Sequence, residues 1–286
     1  METIGHQEIW SYYAASGGAK RVKDIATVRA GLGHRVTSFL ELAKKVADLQ
    51  FRNREHVLLF RGQGVDYLSG KNLTMLRPSI FRHTVPHKIP GEAQLTRRFE
   101  KLKSAERELV YRYENAGLLK PELLKRQKIL RWSILQHYHV CGTPLLDVTH
   151  SLRIAASFAS LKATADAFVF VLGVPNLSGA ITASAEAGLQ IVRLSSVCPP
   201  TVVRPHIQEG YLLGEYPDIS KYGQKALYHA YEIDFGRRLV AKFRFDPLTF
   251  WKPDTFPKVE EADLTPQAFD DPLSKLADEV RQALLN

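Results

Sequence analysis

The 286-residue sequence predicts an α+β fold, with a mixed, mainly antiparallel sheet and helices packed on it. Three observations carry that expectation. Helical periodicity dominates the stretches 39–49 and 92–140. Residues 167–174 form an apolar run without a charged side chain, as a buried strand requires. Further short apolar runs cluster after it, so helices come early and strands late. With 45% hydrophobic and 24% charged residues, the chain can bury a substantial core.

Residues 1–34 are mixed in character and end at Gly31-Leu32-Gly33, read as a boundary after an N-terminal extension. Phe39, Leu42, Val46 and Leu49 then recur at helical spacing. Ser38 and Glu41 form a capping-box pair at the start of that helix, where they satisfy orphan amides. Val57-Leu58-Leu59-Phe60 reads as a buried strand delivering Arg61, and Gly62-Gln63-Gly64 lets the backbone turn at its end. Between 92 and 140 the pattern is helical, with Pro121 suited to a first helical turn. A short strand or turn follows at 145–149. Leu152, Ala155, Ala156 and Ala159 give the next helix a small face that can lie close to a sheet. Residues 167–174 are expected to be a central strand, with more strands near 189–194, 202–213 and 238–245. Residues 272–285 have the pattern of a terminal amphipathic helix. The expected division is therefore an extension (1–34), a main domain (35–250) and a C-terminal segment (251–286).

Several function classes are excluded early. No apolar run approaches the length of a bilayer span, and the N-terminus lacks a basic start and an apolar h-region. Two cysteines, Cys141 and Cys198, make no disulfide framework, so a reduced, cytoplasmic setting is expected. His137, His139, Cys141 and His150 lack metal-binding spacing, and no metal is expected. Gly62-x-Gly64 is no dinucleotide fingerprint, because position 67 is Tyr; P-loop and nucleophile-elbow motifs are absent. The net charge of +9 favours polyanionic partners. Its local concentrations, 101–112 and 120–131, fall on helices, where a solvated face is the first reading and a nucleic-acid surface the second.

Four segments, in order, resemble the FRG-domain family. They are Phe60-Arg61-Gly62-Gln63; Leu76-Arg77-Pro78-Ser79-Ile80-Phe81-Arg82; Gln136-His137-Tyr138 with Thr143-Pro144-Leu145-Leu146-Asp147-Val148-Thr149-His150-Ser151, running into Ala155-Ala156-Ser157-Phe158-Ala159; and Arg204-Pro205-His206-Ile207-Gln208-Glu209-Gly210-Tyr211. Together they span roughly residues 37 to 245. The chain departs from the common family pattern in its middle motif. Residues 139–144 intervene before Leu-Leu-Asp, the basic residue that usually precedes it is missing, and Val148 replaces a tryptophan.

Bottom-up, these segments suit an anion-binding cleft. Arg61, with Gln63 beside it, can grip a phosphate or carboxylate bidentately, and Arg77 can add to the charge. Thr149 and Ser151 lead into a helix, where hydroxyls cap the end and face a sugar or phosphate. Asp147 is read as capping the turn at Pro144 or orienting Arg61, and Gln136 and His137 as joining a helix end to the core or to a ligand. A structural reading stands beside each of these, including Arg61 paired with Asp147 inside the domain.

The order arginine, hydroxyl, late acidic or amide residue also resembles the ADP-ribosyltransferases, and implies a transferase-like fold. That resemblance implies NAD as substrate, bound through Arg61 and through Thr149 or Ser151. It implies Glu209 as the carboxylate that stabilises the oxocarbenium-like transition state as nicotinamide leaves. If residues 207–211 are extended, however, Gln208 and Glu209 point to opposite faces, and only one meets the cleft. The implied function is NAD-dependent ADP-ribosyl transfer or NAD hydrolysis, with a protein or nucleic-acid acceptor and a defence or toxin setting conceivable. The alternative is a non-catalytic domain that recognises a nucleotide, nucleic acid or protein through the same cleft.

Overall fold

The computed structural model describes residues 4, 8–83, 85, 88–161, 163–229, 232–266 and 271–285. In chain order the elements are β1 (Ile9–Ser11), β2 (Lys20–Val22), α1 (Ile25–Ala30), β3 (His34–Arg35), α2 (Phe39–Arg52), β4 (Val57–Gln63), α3 (Glu92–Asn115), α4 (Pro121–Arg126) and α5 (Lys128–His137). They continue with β5 (Leu146–Thr149), α6 (Leu152–Leu161), β6 (Ala167–Val174), β7 (Ile181–Ser184), β8 (Leu189–Arg193), α7 (Leu194–Val197), α8 (Arg204–Ile207), β9 (Gly210–Glu215), α9 (Tyr222–Lys225), β10 (Leu239–Phe245), α10 (Pro247–Phe250), α11 (Glu261–Leu264) and α12 (Pro272–Ala283). The α+β class is as expected, and every strand pairing described is antiparallel except that of β10 with β3.

The chain forms two units, neither of them continuous. Unit one comprises residues 1–76, 148–177 and 234–264; unit two comprises 77–147, 178–233 and 265–286. Residues 1–34 contribute β1, β2 and α1 to unit one.

In unit one the strands lie in the order β3-β10-β6-β4-β5. β6 is central, as its lack of charge requires: Val169, Val171, Leu172 and Val174 are all fully buried. Helix α2 starts where the capping residues place it. Ser38 Oγ accepts from Glu41 N at 3.2 Å, while the Glu41 carboxylate reaches Thr37 N (2.9 Å) and Thr37 Oγ1 (2.9 Å). The reciprocal bond thus lands one residue earlier than in the standard capping box.

Helix α6 lies unusually close to β4. A Cβ on Gly62 would stand 1.7 Å from the Ala155 carbonyl oxygen, and the facing Ala155, Ala156 and Ala159 are fully buried. Only a missing side chain on the strand and methyls on the helix allow that approach.

Unit two holds an antiparallel meander, β7-β8-β9. Its core is a helical cluster around Phe81, Phe99, Trp132, Leu135 and Val280. Trp132 is 1% exposed, and its indole N–H donates to Glu106. The expected strand at 202–213 is corrected over its first half. Pro205 stands in the first turn of α8, and only Gly210–Glu215 is extended.

Candidate functional site

Arg61 and Gln63 leave β4 on the face away from α6. Register shows this, since Gly62 and Phe60 face the helix and side chains alternate along a strand. Arg61 stands opposite Phe170, which in turn stands opposite Lys242 of β10. One step along, Gln63 stands opposite Phe168, Phe168 opposite Arg244, and Arg244 opposite Arg35. Directly opposed residues share a face. The sheet therefore carries one row of Arg61, Phe170 and Lys242 and a second of Gln63, Phe168, Arg244 and Arg35.

The first row is held by charge pairing. Lys242, 2% exposed, donates to Asp66 Oδ2 at 2.5 Å and to Thr74 Oγ1 at 2.8 Å. Burial raises the Asp66 pKa, and the hydrogen bond and charge of Lys242 oppose that rise. The second row borders an open cleft of about 970 Å³ lined by Arg35, Gly64, Asp66, Asn72, Asp166 and Phe168, among others. Asp166 bridges Arg35 Nη1 (2.7 Å) and Arg244 Nη1 (3.2 Å). Each guanidinium has five N–H donors, so this carboxylate does not exhaust either.

Thr149 and Ser151, also in unit one, do not join Arg61. Thr149 stands opposite Phe60 and so shares the face of α6. Its hydroxyl accepts from Ser151 N at 2.9 Å, and the Ser151 carbonyl accepts from Ala155 N at 3.0 Å. The Thr149 hydroxyl thus closes a turn just before α6, and the Ser151 carbonyl receives a bond from the first turn of that helix.

Unit two brings Gln136, His137 and Asp147 together. Gln136 Oε1 accepts from Ser79 Oγ (2.7 Å) and Thr143 Oγ1 (2.8 Å), while its Nε2 donates to Asp147 Oδ2 (2.7 Å). Thr143 N donates to Ser79 Oγ at 3.0 Å. The amide of Gln136 thus ties the second motif to both halves of the third. His137, at the last turn of α5, is 3% exposed and has Nδ1 3.5 Å from Asp147 Oδ1. Burial lowers the His137 pKa most, with Asp147 opposing and Arg204 adding to the shift. A Cβ on Gly210 would lie 3.0 Å from His137 Cε1, so the glycine of the fourth motif seats the histidine of the third.

Arg77 Nη1 donates to the Lys88 carbonyl at 3.3 Å near the surface. Gln208 and Glu209 are not on a strand. Gln208 is the C-cap of α8 and is 6% exposed; Glu209 is exposed, with φ of 43° in the left-handed region. Glu209 fills the position after a helix C-cap where glycine is usual.

Three supporting groups escaped the sequence reading. Ser79 and Thr143 hold Gln136, and Asp271 unites three elements. The Asp271 carboxylate, wholly buried, accepts from Tyr138 Oη (2.9 Å), Arg204 N (2.9 Å) and Leu273 N (3.0 Å). Its only sequence signal is the Asp-Pro that opens the last helix.

The class that these features define is an α+β protein with a polar core of Gln, His and Asp in one unit and a basic and aromatic sheet face in the other. The family is more specific: the FRG domain model matches residues 56–167, so the chain carries a domain of the FRG family. The match takes in the first three motifs and stops short of Arg204–Tyr211. No curated protein and no solved structure matches the chain.

Proposed function

We propose that this FRG-domain protein recognises a phosphate-bearing nucleotide through the sheet face that carries Arg61. One observation supports the reading above others: Arg61, Gln63, Phe168, Arg244 and Arg35 share that face, beside an open cleft. Guanidinium groups suit phosphate oxygens, and an aromatic ring suits a base. NAD is the first nucleotide to test, because of the resemblance to ADP-ribosyltransferases.

Binding without cleavage is the favoured form of the reading. A carboxylate stabilises a developing cation effectively only in a water-excluded site. Glu209 is exposed and sits on a left-handed turn, and Gln208, which is buried, carries no charge.

The test is thermal shift and calorimetry with NAD, ADP-ribose, ATP and pyrophosphate, with nicotinamide release followed in parallel. The expected result is saturable stabilisation by a nucleotide, about 2.7 kcal/mol at a hundredfold excess over Kd. Arg61→Ala should abolish it. Glu209→Gly should leave binding intact and raise stability by about 0.5–1 kcal/mol, because glycine tolerates positive φ. No shift with any nucleotide at millimolar concentration sinks the proposal. Nicotinamide release that disappears in Glu209→Gly restores the enzyme reading.

A further inference from the structure

We infer that the exposed face of α3 binds single-stranded nucleic acid, on a surface independent of Arg61. Residues 92–131 contain eleven basic and six acidic side chains, of which α3 itself holds six basic and five acidic, so the case for α3 rests on how its charges are paired. The acids are directed to particular cations. Glu100 pairs with Lys103 (2.8 Å), Glu106 with Arg131 (3.2 Å), Glu108 with Arg112 (2.6 Å), and Glu114 with Lys125. On α3, Arg97, Arg98, Lys101 and Arg107 are left without a carboxylate partner among the described residues, and Arg98 donates to the carbonyls of Ile80 and Arg82. Arg97 donates only to the Ala93 carbonyl and Arg107 only to Ser104 Oγ.

Helical geometry puts the other three cations together. At 100° per residue, Arg97, Lys101, Ser104, Arg107 and Tyr111 lie on the side opposite Leu95, Phe99, Leu102, Leu109 and Tyr113, which are buried; Glu100 and Glu108 share that side but are paired with Lys103 and Arg112. The three charges span about 15 Å of helix axis at 1.5 Å per residue. Tyr111 continues the stripe with a ring 63% exposed. Such a ring gives an unpaired base a stacking platform, while the charges follow the phosphates.

The same features disfavour other polyanions. Anionic lipid is usually engaged by a helix that also offers an apolar face to the membrane, and the apolar face of α3 is already used in the core of unit two. An acidic protein would gain from the charges but has no particular use for an exposed tyrosine ring.

The experiment is fluorescence anisotropy of labelled fifteen-residue oligothymidylate with the full chain, titrated between 20 and 200 mM KCl. Three phosphate contacts predict that log K falls with log salt at a slope of about −2, from about −0.7 per contact on a single strand. Arg97→Gln, Lys101→Gln and Arg107→Gln should each flatten the slope by about 0.7. Lys103→Gln, at a paired cation, should leave it nearly unchanged. Tyr111→Ala should weaken binding about fivefold or more with the slope intact. Arg61→Ala should not alter oligonucleotide binding, which keeps this result separate from the nucleotide site. The five positions on α3 are exposed, and circular dichroism confirms the fold of each variant, Arg61→Ala included. The inference is overturned if the triple variant binds as wild type, or if oligothymidylate, polyglutamate and phosphatidylserine vesicles bind equally well.

Discussion

Gly62 has no room for even a methyl group. Its absent Cβ would sit 1.7 Å from a backbone oxygen of α6, which cannot swing aside as a side chain could. Gly62→Ala must therefore push the helix off the strand, and we expect a loss of about 3 kcal/mol in urea unfolding. A second prediction at this scale concerns His137. Burial holds its pKa below the usual histidine value in the folded chain, so below about pH 6.5 the unfolded chain takes up a proton that the folded chain refuses. Stability then falls on acidification, at up to about 1.4 kcal/mol per pH unit, until the pH reaches the folded pKa. Stability measured by urea unfolding between pH 7.5 and 5 should fall less steeply in His137→Gln than in wild type. Equal slopes would place the acid sensitivity elsewhere.

At the scale of elements, Asp271 is the point where α12 begins and where the ends of α5 and α8 are fastened. Its carboxylate caps α12 through Leu273 N and also receives Tyr138 Oη and Arg204 N. Asp271→Ala removes a cap and leaves two buried donors without an acceptor, and we expect it to cost about 3 kcal/mol. Asp271→Asn keeps an acceptor and a cap and should recover much of that. If the two variants melt together, the cap and the shared acceptor are not what holds these ends. Elements set by local pattern were legible in the sequence: the capped start of α2, the alanine face of α6, the uncharged strand β6. The fourth motif was misread, because Val202, Val203 and Ile207 look strand-like while Pro205 at the first turn of α8 was given no weight. The Gln136 cluster was legible only in part. Its partners Ser79 and Thr143 are 57 and 7 residues away, and no local spacing rule connects a hydroxyl to an amide across a fold.

At the scale of the whole molecule, charge and motif fall on different ground. The FRG match covers β4 through the start of β6, and the basic stretch 92–131 lies within that same span, most of its excess charge after α3. Arg61 belongs to unit one, whereas α3 belongs to unit two. The two proposals thus rest on different units and can fail separately. The expectation that Arg61 and the Thr149 hydroxyl would share a cleft failed for a geometric reason. Strand alternation and the Phe60–Thr149 pairing send them to opposite faces, and sequence order alone does not specify register.

The interleaving of the two units has a consequence for biosynthesis. Strand β10 lies between β3 and β6, yet it is among the last strands to leave the ribosome, at residues 239–245. Until then β3 has no partner strand and β6 has one open edge. The fastening point of unit two, Asp271, emerges later still. Unit one cannot be completed until residue 245 has been made, so the nascent chain carries these unpaired strand edges until then. A fragment limited to residues 56–167 would lack β6 beyond Ala167 and so leave β4 without the strand it pairs with from Val57 to Gln63.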